Sequence, residues 1–303
     1  MKNQQHFYFY LFLSLFLAVC VNLFFRRQID TKLCADNSLA YETALENFRD
    51  GAVTEELVLS FADIPSVGNA TSATPETNDH RFCADNTACI KDVKTFSDYL
   101  TLYFASSGNA TDCGKLEKKL AVVKKYQPEK FQQIQSKIEA MWGDAIVFPV
   151  GSITNHPDAD VSFSNSWKEG RTFGGERFHE GCDIMPSINE RGIYPVRSVS
   201  DGVVEKIGWL RLGGYRIGIR STRGAYFYYA HLSGYAEDFQ IGDEVTAGTL
   251  LGFMGDTGYS DREGTTGNFP VHLHFGIYFN DENGEEFSVN PFPLLSYLKS
   301  KNR

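Results

Sequence analysis

From residue 146 onward the chain consists of short apolar stretches separated by turns that contain glycine. Residues 202–207, 215–220, 225–231, 249–253 and 272–279 are five to eight residues long and rich in β-branched and aromatic side chains. Segments of that length and composition read as strands, not helices. Gly213-Gly214 and Arg223-Gly224 read as the turns between them. Residues 291–299 read as a short closing helix, and no internal repeat is present. Residues 143–303 are therefore expected to form a mostly β domain.

Residues 31–142 have a different character and read as a mostly helical pre-domain. Residues 38–48 and 93–104 carry helical periodicity, and residues 116–142 form a longer polar and apolar mixture broken at Pro128. After that break, Phe131, Ile134, Ile138 and Met141 recur at the spacing of one packed helix face. Residues 66–79 are rich in Ser, Thr, Asn and Pro and read as a loop, and Asn69 and Asn109 match the N-glycosylation pattern.

Residues 1–30 hold an apolar run over 7–25, interrupted only by Ser14 and Asn22. As a helix this run would span about 28 Å, close to the hydrocarbon thickness of a bilayer. It reads as a transmembrane anchor, with a cleaved signal segment as the alternative. Lys2 precedes the run and Arg26 and Arg27 follow it, so charge does not set its orientation. The formal net charge of −9 argues against nucleic acid as the main partner. Four of the six cysteines, Cys34, Cys83, Cys89 and Cys113, lie in the helical half, where an exported chain could pair them in any of three ways. No CxxC pair is present, which disfavours a thiolate zinc site.

The chemistry is concentrated in the histidines. His272 and His274 lie two apart in a strand-like run, so their imidazoles share one face while Leu273 and Phe275 face the other. A buried, hydrogen-bonded histidine pair would give the same pattern. Two further stretches favour a site: "HEGCD" places His179 and Asp183 together, and "YAHLS" places His231 at the end of an aromatic strand. His6, His80 and His156 have no such setting. Zinc accepts imidazole and carboxylate ligands, and a catalytic zinc keeps three protein ligands and an open position. One histidine of the HxH pair with His179 and Asp183 would supply those three. The two remaining histidines would then handle protons or an oxyanion.

These residues resemble the M23 metallopeptidases, the lysostaphin and LytM-type peptidoglycan endopeptidases. The resemblance runs from about residue 148 to 292 and is carried by "FPVGSI", "GCDI", "DGVVEKIG", "GDEVTAGTLLGFMGDTG" and "HLHFGI". It implies an antiparallel sheet with a substrate groove, one zinc ion on His179, Asp183 and His274, and His231 and His272 as the catalytic pair. It also implies hydrolysis of peptidoglycan stem peptides or cross-bridges in the bacterial cell envelope, outside the cytoplasmic membrane. The rival expectation is a non-catalytic wall-binding or scaffold protein. The helical pre-domain lies outside the resemblance; it is expected to meet a protein partner or to cover the groove. Cys182 stands where an apolar residue is usual, and strand alternation turns it away from the metal. Arg171 or Arg177 is expected near the groove, and residues 256–270 read either as one of its walls or as a plain surface loop. "GDTG" at 255–258 lacks the lysine and helix of a phosphate loop.

Overall fold

The structure is a computed structural model that describes residues 16–17, 19–26, 28, 40–54, 57–58, 93–106, 113–153, 158–173 and 175–301. Before the sheet the described residues include helices α1 (Tyr41–Asp50), α2 (Val93–Ala105), α3 (Cys113–Tyr126) and α4 (Pro128–Asp144). The break at Pro128 has a local cause. Proline is favoured at the first helical position, where its missing N–H costs nothing, so it ends one helix and opens the next. Phe131, Ile134, Ile138 and Met141 are all buried on α4, as their spacing requires. α2 buries nine of its thirteen residues because α1, α3 and α4 all pack against it.

Twelve strands follow: β1 (Val161–Phe163), β2 (Gly170–Arg171), β3 (Arg177–Phe178), β4 (Cys182–Pro186), β5 (Pro195–Arg197), β6 (Gly202–Leu210), β7 (Gly214–Ser221), β8 (Tyr226–Tyr235), β9 (Glu244–Val245), β10 (Leu250–Met254), β11 (Leu273–Asn280) and β12 (Glu286–Val289). Ten form one antiparallel sheet in the order β1-β4-β11-β8-β7-β6-β9, with β10 joined to β5 and β8, and β12 to β11. β2 and β3 form a separate hairpin. A final helix, α5 (Phe292–Lys301), closes the chain.

Alternation divides the sheet. Leu273, Phe275 and Ile277 of β11, Phe227 and Tyr229 of β8, and Ile217 and Ile219 of β7 are completely buried. Each contributes roughly 1.5–3 kcal/mol relative to exposure. The intervening residues face the other way, in the register His274 opposite Ala230, Gly276 opposite Tyr228 and Tyr278 opposite Tyr226. The helices join the same core: Phe48 of α1 meets Phe279 of β11 at 5.7 Å between ring centroids, and Trp142 of α4 meets Tyr297 of α5 at 5.6 Å. Asp144 pairs with Arg223 in the β7–β8 turn.

Residues 19–26 are helical and exposed. Among the described residues, no helix is long and apolar enough to cross a membrane. Residues 1–15, 18, 27, 29 and 30 of the expected anchor segment lie outside the described residues, as do Asn69, Asn109, Cys34, Cys83 and Cys89, so the expected disulfide pairing is not described.

Candidate functional site

Asp183 of β4 and His274 of β11 are direct cross-strand partners, so their side chains leave the sheet side by side. His179 precedes β4 and is held by its backbone: its N–H donates to the Glu169 carbonyl (2.9 Å), and its carbonyl accepts from the Lys168 N–H (3.0 Å). Its Nδ1 lies 3.0 Å from the Ser166 carbonyl oxygen. A carbonyl only accepts, so Nδ1 carries the proton and Nε2 presents a lone pair.

That Nε2 lies 2.9 Å from His274 Nδ1 and 3.0 Å from Asp183 Oδ1, and the last two are also 3.0 Å apart. The three atoms form a nearly equilateral triangle. Two imidazole nitrogens and one carboxylate oxygen suit a divalent zinc, and a tetrahedron with bonds of about 2.1 Å has edges of roughly 3.4 Å. The triangle is within a few tenths of an ångström of that size, and all three residues line an open groove, so the donor set fits zinc. Arg171 completes the surroundings by donating from Nη2 to Asp183 Oδ2 at 2.8 Å. Burial alone would raise the Asp183 pKa. The close contacts with the His179 and His274 imidazoles and the nearby His272 outweigh it and hold the carboxyl well below its usual range. Burial lowers the His274 pKa, only partly opposed by Asp183.

The other two histidines stand beside the triangle. His231 occupies a left-handed backbone position (φ 63°), and its Nδ1 lies 2.8 Å from the Thr257 carbonyl oxygen. The His272 Nδ1 lies 2.8 Å from the Pro270 carbonyl oxygen, and its Nε2 lies 3.8 Å from Asp183 Oδ1. The two rings are 4.6 Å apart at their centroids. In both, the carbonyl fixes the proton on Nδ1 and leaves Nε2 free. Burial, then the proximity of His272 and His274, pushes the His231 pKa well below its usual value, so this imidazole is neutral at pH 7.

The structure thus brings together the five residues singled out in the sequence, while His6, His80 and His156 lie outside the described residues. Cys182 is fully buried on the opposite side of β4, with Sγ 3.3 Å from the Ser164 carbonyl oxygen. The groove has a volume of about 850 Å³, and among the described residues no helix contributes to its lining. Arg171 and Arg177 both line it, and Arg177 donates to the Tyr259 hydroxyl at 3.3 Å. The expected wall over 256–270 is present through Tyr259, Phe269 and Pro270. "GDTG" has a structural use: Asp256 pairs with Arg191 and accepts the Gly267 N–H, while Thr257 supplies the carbonyl that orients His231.

Sequence reasoning missed several contributors. A Cβ on Gly181 would come within 2.5 Å of His274 Cε1, so glycine there makes room for the ring. Tyr226, Tyr228 and Tyr278 form the floor, with Tyr226 lying over Gly218, where a Cβ would meet its hydroxyl at 1.9 Å. Alternation from His272 and His274 carried that signal for Tyr278, whereas His231 leaves the alternation of "YFYYAH" at its left-handed backbone position and so hides Tyr226 and Tyr228.

The comparisons with known proteins agree with this geometry. The family model described as Peptidase family M23 matches residues 177–288. The L-Ala–D-Glu endopeptidase of Bacillus subtilis (strain 168) is 44% identical over 136 residues, which is 45% of this chain and 40% of that protein. The glycyl-glycine endopeptidase ALE-1 of Staphylococcus capitis is 31% identical over 150 residues, 47% of this chain and 36% of that protein. The chain therefore spans less than half the length of these curated relatives. The crystal structure of lytM from Ruminococcus gnavus ATCC 29149 aligns with a TM-score of 0.66 and 34% identity, covering 84% of this chain and 91% of that one. That share reaches beyond the β half into the helices.

Proposed function

Because the chain belongs to peptidase family M23, we propose that it is a zinc-dependent endopeptidase that cuts peptide bonds of peptidoglycan outside the cytoplasmic membrane. The observation that carries this reading is the His179, Asp183 and His274 triangle, set in an open groove with His231 and His272 beside it. Relatives named for an L-Ala–D-Glu bond and for a glycyl-glycine bond support a peptidoglycan peptide as substrate. The higher identity to the first makes the stem peptide the first substrate to test. The apolar run over residues 7–25 supports placement at the envelope, as an anchor or a removed signal.

His179 Nε2, Asp183 Oδ1 and His274 Nδ1 would hold the metal. Zinc, when bound, supplies Lewis-acid polarisation of the scissile carbonyl and a lowered pKa for water. The remaining steps belong to the chain. One of His231 and His272 accepts the proton of the attacking water at Nε2, and the other supports the tetrahedral oxyanion. Thr257 and Pro270 keep both rings in the tautomer that presents Nε2. Arg171 fixes Asp183 through Oδ2 and leaves Oδ1 to face the two imidazoles. Phe269 lies 4.7 Å from the His231 ring and shields it from bulk water.

The test is digestion of purified sacculi by the zinc-loaded protein, followed by mass spectrometry of the released muropeptides. New amino termini at one stem-peptide or cross-bridge bond are expected. Intact sacculi in the presence of stoichiometric zinc would instead support a non-catalytic wall-binding scaffold.

A further inference from the structure

We propose that Arg216 forms a subsite for a carboxylate of the peptide substrate, a role that rests on the endopeptidase reading above. Arg216 lies on β7 opposite Gly208 of β6, and its side chain lines the groove. On its other side the β7–β8 register shifts between Tyr215 (opposite Leu232) and Ile217 (opposite Tyr229), which sets Arg216 against the Ala230–His231 step. Ala230 in turn pairs with His274. Arg216 is therefore two strands from the metal-facing histidine, about 10 Å at the usual strand spacing. An extended peptide covers that distance in about three residues, and the long arginine side chain shortens it further.

The other basic residues of the groove have partners. Arg171 is bound to Asp183, Lys206 lies 3.4 Å from Glu286, and Arg177 donates to Tyr259. Arg216 differs. Its Nε and Nη1 are buried and have no hydrogen-bond partner, and among the described residues its guanidinium makes no ion pair. Its charge is felt by the phenols of Tyr226, Tyr228 and Tyr235, each of which burial keeps protonated and neutral at pH 7.

A guanidinium cannot shed its proton to escape burial, so its desolvated N–H groups remain a cost until an acceptor arrives. The groove is the direction from which one can come. Nη2 is the guanidinium nitrogen outside that buried pair, Nε and Nη1, so it meets an acceptor from the groove first, and a charged acceptor gains more there than a neutral carbonyl. A peptide bearing a free carboxyl group within a few residues of the scissile bond supplies that acceptor; the corresponding carboxamide does not.

Two synthetic stem-type peptides test this, identical except that the acidic residue carries a free α-carboxylate in one and a carboxamide in the other. Zinc-loaded full-length protein is expected to favour the acid by roughly tenfold or more in kcat/KM. Arg216→Gln should bring that ratio close to one through loss on the acid, with zinc content and melting temperature retained. Arg216→Lys keeps the charge without the guanidinium and should fall between. Binding of both peptides to the His231→Ala protein, followed by calorimetry, reads the subsite without turnover and should show the same preference, abolished by adding Arg216→Gln. Equal binding of acid and amide overturns the subsite, as does an equal loss on both peptides in Arg216→Gln. Failure of the zinc-loaded wild type to cut either peptide or sacculi overturns the peptidase reading instead, while the binding preference still decides the role of Arg216.

Discussion

Asp183 and His274 face each other across β4 and β11, and Oδ1 of one lies 3.0 Å from Nδ1 of the other. The pairing comes from backbone register, so two candidate ligands far apart in sequence are set by the same hydrogen bonds that build the sheet. His179 is added from outside the sheet, through the Ser166 and Lys168 backbone. The site therefore has one rigid side and one that depends on a loop.

The first prediction separates holding the metal from moving protons. His179→Ala, Asp183→Ala and His274→Ala should each lower the zinc content of the purified protein. His231→Ala and His272→Ala should keep zinc and lose about 10²–10⁴-fold in rate. Metal analysis beside a sacculus assay distinguishes the two sets. A His231→Ala protein with wild-type turnover would remove that residue from the mechanism.

Gly181 offers a subtler test. An alanine methyl would meet the His274 ring at 2.5 Å and the Phe275 carbonyl oxygen at 2.7 Å; the ring can yield only by leaving its place beside Asp183, and the carbonyl only by moving β11. Gly181→Ala should therefore weaken zinc binding by on the order of 10–100-fold while the protein stays folded. Chelator competition with circular dichroism checks this, and unchanged affinity would mean that the strand shifts freely.

The helices reach the metal side through Asp50. Its carboxylate lies 2.6 Å from Lys168 Nζ and accepts the Trp167 indole N–H at 3.2 Å. Trp167 and Lys168 belong to the loop that supplies the Ser166 carbonyl and the Lys168 N–H to His179. Both charged groups are part-exposed, so the coupling is worth up to ~1 kcal/mol, or about a factor of five. Asp50→Ala should speed zinc release by up to that factor, and Asp50→Asn should recover part of it through Trp167. Stopped-flow mixing with a chromogenic chelator measures the rate; identical traces would show that the loop holds without the helix.

Cys182 gives a pH prediction. Burial first, then the Asp183 charge, pushes its pKa from 9.0 to about 12. The unfolded thiol ionises near the lower value and the folded one near the higher, so between them the folded state holds the extra proton. Stability must therefore fall as pH rises from 9 towards 12, by up to ~4 kcal/mol from this group. Denaturant titrations across that range should show a shallower fall for Cys182→Ala. At pH 8 iodoacetamide should label the exposed Cys20 and spare Cys182 until denaturant is added.

Much of this is legible in the sequence because strand alternation and zinc chemistry both leave strict spacing. The five apolar stretches between 202 and 279 all fall within strands or overlap them, and Pro128 divides two helices where its ring demands. β4 is not legible. "CDIMP" mixes a charge, a proline and apolar residues, and it becomes a strand only because β11 and β1 pair with it. The histidines are visible as a set. The atoms that orient them are backbone carbonyls of Ser166, Thr257 and Pro270, and carbonyls have no sequence signature. Arg216 is equally hidden, since only the fold shows that its Nε and Nη1 have no partner among the described residues.

The two-faced sheet has an evolutionary corollary. Tyr226, Tyr228, Tyr278 and Arg216 look into the groove, while their immediate neighbours Phe227, Tyr229, Ile277 and Ile217 are sealed inside. Selection can rewrite which peptide is accepted by exchanging alternate residues, without disturbing the packing that keeps the scaffold folded. The exception is a ring that rests on a glycine, as Tyr226 does on Gly218; there the two positions must evolve as a pair.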